Sequence, residues 1–151
     1  MENNSLKNNE LISGISILAV LKYAYTMEIS KCLLIEPLLS YTRVLQVLKR
    51  TNSNIKSIEN LIIKESIVFA NFSSRYQDKL LLSVNSIILF EKLGLIKIND
   101  GKVQFTGEKF NFSNPTLGGK AKDRIAAAKR LADILMKGDA SELYLSLRVE
   151  I

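Results

Sequence analysis

Apolar positions along the chain fall into blocks whose spacing is mostly helical, with one short stretch of strict alternation near the middle and another at the end. Residues 1–9 are polar and Asn-rich and predict a flexible N-terminal tail, because they offer too little apolar surface to offset ordering. From Glu10, the residues Leu11, Ile15, Leu18, Ala19 and Leu21 keep a helical period up to about Tyr25 and predict a buried first helix. Residues 29–39 are almost wholly apolar around Glu36-Pro37, and the proline predicts a break in any helix there. A second helix is expected from about Ser40, a suitable N-cap, through Val44, Leu45 and Leu48 to Arg50. After a polar break at 51–54, Ser57 and Asn60 flank a short helical segment containing Ile58, Leu61 and Ile62. Residues 66–71 fit strand and helix equally well.

The strongest pattern is a long apolar helix, capped at Ser73 or Ser74, that closes on Leu93-Gly94 and runs directly into 95–106. Its polar strip is narrow, Ser83, Asn85 and Ser86, which predicts burial on more than one face. In the following segment Asp100-Gly101 suits the two central positions of a type I′ turn, where both residues take positive φ. That turn sets Ile98 against Val103 and Ile96 against Phe105, with all four apolar side chains on one face and Lys97, Lys102 and Gln104 on the other. Gly94, Asp100, Gly101 and Phe105 are therefore the structural residues of a helix-then-hairpin unit, and Phe105 is expected to bury its ring against that helix. An Asn/Ser/Pro loop then leads through Gly118-Gly119 into a helix over about 120–137, striped by Ile125, Ala128, Leu131, Ala132 and Leu135 and ended at Gly138-Asp139. In the last segment Leu143, Leu145, Leu147, Val149 and Ile151 alternate with other residues and predict a half-buried terminal strand, which either pairs with the hairpin or offers its edge to another chain. The expected fold is α+β and mainly helical: a single winged-helix-like domain over 10–151, with a β-hairpin wing, a C-terminal helix and a short terminal strand.

Composition narrows the function more by what it lacks. The chain has 151 residues, 47% of them hydrophobic, enough for a real core. With no histidine and one cysteine, it has no His-based triad, no Cys-His dyad and no thiolate metal site. The lone Cys32 fits a reducing cytoplasm and reads as a buried thiol. Gly118-Gly119-Lys120-Ala121 carries part of a phosphate-loop motif, but Asn114 stands where its first glycine belongs and Ala121 lacks the metal-binding hydroxyl, so it reads as a loop leading into a helix. Ser53-Asn54-Ile55-Lys56 lacks the companion motifs of acylating serine enzymes. Glu91, Asp123 and Asp133 sit singly on predicted helices, as solvated residues do, and no carboxylates converge as metal-dependent hydrolysis requires. No catalytic residue, metal or cofactor is expected. The N-terminus has no basic region of a secretory signal, and the longest strongly apolar run, 15–21, is far short of the roughly 20 residues of a membrane span, so a soluble cytoplasmic protein with no membrane partner is expected.

The net charge of +6 permits an acidic or nucleic-acid partner without demanding one. Lys120, Lys122, Arg124, Lys129 and Arg130 gather on the last long helix, and Lys97 and Lys102 decorate the hairpin; these are the candidate partner- or DNA-binding residues. They are expected to be exposed, and Arg43, Lys49 and Arg50 on the earlier helix could extend the surface. A solvated helix face accounts for the same charges equally simply. Aromatic residues are not interleaved with them as in many single-strand binders.

Three stretches together carry a family likeness: Leu33-Leu34-Ile35-Glu36-Pro37-Leu38-Leu39, an apolar run with proline before a helix; 80–98, the helix entering the hairpin; and the final helix followed by Glu142-Leu-Tyr-Leu-Ser-Leu-Arg-Val. In their order the chain resembles the small middle components of bacterial three-component ABC-ATPase conflict systems, including the Lamassu-like anti-phage systems. The resemblance implies a non-enzymatic subunit that bridges an SMC-like ABC ATPase and a nuclease-type effector, holds the effector inactive until foreign DNA is sensed, and touches DNA through the complex. The alternative reading is a winged-helix DNA-binding transcriptional regulator. That reading needs a hydrophilic recognition helix; 80–93 is too apolar for the role, and 41–50 suits it only in part.

Overall fold

The computed structural model describes residues 2–150 and the side chains of residues 9–150. The chain forms α1 (Glu2–Ala24), β1 (Thr26–Glu28), α2 (Ile29–Cys32), α3 (Ile35–Leu39), α4 (Thr42–Lys49), α5 (Ile58–Lys64), α6 (Ser66–Phe69), α7 (Phe72–Lys92), β2 (Ile96–Asn99), β3 (Lys102–Phe105), α8 (Gly119–Leu135) and α9 (Ala140–Leu147). A single 3₁₀ turn, Pro115–Leu117, leads into α8. The fold is α+β and mainly helical, with one three-stranded antiparallel sheet in the order β1-β3-β2. The expected tail over 1–9 falls almost wholly on residues whose side chains lie outside those described.

At the centre stands α1, packed chiefly against α8 and α7. Leu18, Val20 and Leu21 are fully buried, while Leu11 at the start of the apolar pattern is 41% exposed. Close approach at the α1–α7 crossing depends on Gly14, which lies under the Phe90 ring, where a Cβ would strike it; Ser13 and Ser16 on the same helix are also fully buried. Tyr25 ends α1 in the left-handed region, φ 68°, and turns the chain into β1. Its carbonyl accepts from the Phe105 amide at 2.8 Å, which starts the β1–β3 ladder; Met27 then sits opposite Val103, both buried. This three-residue strand is too short to leave a periodic signal, so the apolar pattern reads straight across it.

The hairpin takes the register its turn dictates: Ile96 pairs with Phe105 and Ile98 with Val103, around Asp100 and Gly101 at φ 54° and 74°. Gly94, φ 77°, follows the Leu93 cap of α7, and the Thr106 hydroxyl donates to the Gly94 and Leu95 carbonyls at 2.9 and 3.0 Å. Ile96 and Val103 are buried, whereas Phe105 is half-buried at the margin of the core instead of enclosed by it.

Four local expectations are corrected. Pro37 lies inside α3, at the third helical position, because the first-turn amides of a helix have no intrahelical acceptor and a missing N–H there costs nothing. Ser40 closes α3, its hydroxyl donating to the Pro37 carbonyl at 3.0 Å, and Tyr41 caps α4. The long helix α7 starts at Phe72, with Asn71 as its cap, ahead of the two serines expected there. The terminal strand is the helix α9: the Asp139 carboxylate accepts from the Glu142 amide at 2.8 Å, and Arg148, in the left-handed region at φ 56°, closes the other end. The leucines that alternate in sequence also stand four apart, so Leu143 and Leu147 turn inward and Leu145 is 78% exposed. Ile151 lies outside the described residues. Residues 66–71, open between two readings, form the single turn α6.

Candidate docking surface

The polar strip of α7 does not face water: two of its serines are buried beside Ile87 and Phe90. Ser83 and Ser86 are fully buried, each hydroxyl donating to the carbonyl four residues back, Lys79 at 3.0 Å and Leu82 at 2.7 Å. A serine satisfied by its own helix backbone can sit in a dry contact, and its small size suits a close neighbour. The larger side chains are turned outward: Leu81 is 71% exposed, Ile88 43% and Val84 37%. Positions 81, 84 and 88 lie on one helical stripe, and exposed Asp78, Glu91 and Lys92 stand at its ends. The stripe runs along the helix that feeds the hairpin, on whose exposed side Lys97 and Lys102 stand; Leu93, at the helix end, is 56% exposed. An apolar stripe bordered by charge is the composition of a protein contact more than of a phosphate-backbone contact.

The basic set on α8 divides in two. Lys120, Lys122 and Lys129 are exposed. Arg124 is not: its guanidinium grips the buried Glu36 carboxylate through both oxygens, at 2.6 and 3.0 Å, and also donates to the Ser16 hydroxyl at 3.3 Å. This ties α8 to α3 and α1. Arg130 is half-buried and donates to the Ser53 and Arg50 carbonyls at 2.8 and 2.9 Å, holding the loop that follows α4. Both arginines therefore hold the fold together, and the expectation that they are exposed is corrected; a charge run read along one helix cannot reveal an acid or a loop carbonyl contributed by a distant segment. Of the cations that were to extend the surface, Lys49 pairs with Asp123 at 3.2 Å and Arg43 with Glu65 at 3.2 Å.

The remaining reactive groups are held within the fold. Burial, with Glu28 nearby, pushes the Cys32 thiol up to about 12. The Tyr144 hydroxyl is pushed well above its ordinary value by burial and by its hydrogen bond with Tyr76, and it donates to the Ser30 carbonyl at 2.6 Å. Lys31, 7% exposed, donates to the Gly138 carbonyl at 2.9 Å. Among the described residues no three His, Cys, Asp or Glu side chains are grouped to hold a metal ion, and no helix is long and apolar enough to cross a membrane.

No known protein family, no curated protein and no solved structure matches this chain. The surface is therefore read from its own chemistry.

Proposed function

We propose that this chain is a non-enzymatic bridging and regulatory subunit, docking through α7, in a complex of an SMC-like ABC ATPase and a nuclease-type effector that acts in cytoplasmic anti-phage or anti-plasmid defence. The observation that carries the docking role is the outward stripe Leu81, Val84 and Ile88 on a helix whose serines are buried instead. Covering the apolar area these side chains still expose gains about 25 cal/mol per Å², most of it from Leu81. The family resemblance behind this reading rests on the sequence stretches 33–39 and 80–98; the third stretch, expected to end in a strand, is helical. The subunit works by holding two larger proteins together, and Lys97, Lys102, Lys120, Lys122 and Lys129 are free to face an acidic partner or DNA held by the complex.

Pull-down of the tagged chain from its native host, followed by mass spectrometry, tests this. Recovery of an SMC-like ATPase, encoded beside this chain, is the expected result; recovery of neither an ATPase nor a nuclease contradicts the reading.

The alternative, a winged-helix DNA-binding regulator, is favoured by one observation: a helix entering a hairpin whose inner strand pairs with an early strand, in the order β1-β3-β2, is the arrangement a wing requires. Against it stands the outer face of α7, where a recognition helix needs Arg, Lys, Asn or Gln and this one presents Leu81, Val84 and Ile88. A stand-alone gene next to its own promoter, with sequence-specific binding to that DNA, would favour the alternative.

A further inference from the structure

Above the Glu36–Arg124 pair lies an open cleft of about 420 Å³, walled by α1, α3, α4, α7 and α8. That volume lies within the range of small-molecule sites. The charges lining it are unequal in a specific way. Its two acidic residues are already paired, Glu36 with Arg124 at 2.6 Å and Asp123 with Lys49 at 3.2 Å. Its three other cations, Arg75, Lys79 and Lys120, make no ion pair among the described residues. Arg75 and Lys79 are one turn apart on α7 and so share a face, and the Arg75 guanidinium lies 4.3 Å from the centre of the Tyr41 ring, its N–H donors unused by any described acceptor. Lys120 reaches the same cleft from the first turn of α8. Ile12, Leu45 and Leu82 supply an apolar wall.

We infer that this cleft binds a small organic phosphate of nucleotide size, its phosphate groups on Arg75, Lys79 and Lys120 and its apolar part against Ile12, Leu45 and Leu82. The paired acids explain why an anion is admitted. An unpaired Glu36 or Asp123 would repel it, whereas here each carboxylate is neutralised by a partner of its own. Arginine placed beside an aromatic ring offers a fork of N–H donors to phosphate oxygens, and lysines add point charges that tolerate different phosphate positions. Ala121 stands beside Lys120 where a phosphate loop has its metal-binding hydroxyl, so binding alone is inferred.

Titration calorimetry at low salt with ATP, inorganic triphosphate and adenosine tests the inference. Saturable one-to-one binding of ATP is expected. Lys79→Ala with Lys120→Ala should weaken it by at least about tenfold, the scale of losing one charge-assisted hydrogen bond. Lys97→Ala with Lys102→Ala, which removes the same charge from the hairpin, should leave it unchanged. Neither lysine of the first pair has a side-chain partner among the described residues, so equal unfolding temperatures of the two double variants will show that affinity and not folding was lost. Absence of saturable ATP binding at millimolar concentration overturns the inference, as does equal loss in both double variants, which would mean attraction to net charge alone. Adenosine binding as tightly as ATP would remove the phosphate from the account, and triphosphate binding as tightly as ATP would remove the apolar wall.

Discussion

The two long helices that flank α1 meet it with opposite chemistry. α8 turns a dense apolar set inward, Ala127, Ala128, Leu131, Ala132, Ile134 and Leu135, and commits even Arg124 and Arg130 to internal partners. α7 buries Ser83 and Ser86 beside Ile87 and Phe90 and leaves Leu81, Val84 and Ile88 outside. The difference shows what decides a helix's inner face. Against α8 the contact is apolar, alanines set among leucines, with the Ser16 hydroxyl accepting from Arg124; at the α1–α7 crossing Gly14 lies under the Phe90 ring, so a residue without a Cβ is required there. α8 is thus a structural brace, and α7 has apolar surface left over for another molecule.

Breaking the brace should have the largest effect. Arg124→Ala leaves the Glu36 carboxylate, 2% exposed, without a counter-ion, and should cost about 3–5 kcal/mol in urea unfolding. A loss below about 1 kcal/mol would show that α8 is not held by this pair. Forcing the close crossing apart should cost less: Gly14→Ala drives a methyl into the Phe90 ring and should destabilise by about 1–3 kcal/mol, the range of core overpacking. A neutral Gly14→Ala would mean that the crossing has slack and that its small residues have no packing role.

Alkaline titration sharpens the same contrast from the core side. The Cys32 thiol is neutral when protonated, and burial raises its pKa from 9.0 to about 12, so the folded state holds that proton more tightly than the unfolded chain. The resulting stability is complete below pH 9 and is lost as pH rises from 9 toward 12; Tyr144, raised in the same direction, adds to the loss. Native protein at pH 8 should react with a thiol reagent only as fast as it unfolds. Prompt stoichiometric labelling would place Cys32 at the surface.

The hairpin, α8 and the short α5 could be read from sequence because their determinants are local. Asp100-Gly101 sets a turn and with it a register, and the Ser57 hydroxyl accepts from the Asn60 amide at 3.1 Å three residues on. The terminal helix α9 was misread because leucines at every second position satisfy a strand and, at every fourth, a helix; the Asp139 cap ahead of Glu142 was the signal that separates them. The candidate surface was least legible. α7 is apolar on nearly every side, so sequence alone cannot say whether Ser83 and Ser86 or Leu81, Val84 and Ile88 face water. The commitment of Arg124 to Glu36 joins residues 88 positions apart, beyond any local pattern.

Outward residues on α7 should have the smallest effect on folding and the largest on association. Leu81→Asp with Ile88→Asp removes apolar surface that the isolated chain leaves partly exposed, so the unfolding free energy should fall by no more than about 1 kcal/mol per substitution, helix propensity included. The decisive measurement is co-purification of this double variant beside the parent chain from the native host, quantified as moles of ATPase recovered per mole of bait. If α7 is the docking helix, the parent brings down its partner in fixed stoichiometry and the folded double variant brings down less than about one tenth as much, a loss of at least 1.4 kcal/mol in binding. Recovery of the partner by the double variant at the parent's stoichiometry would contradict the account.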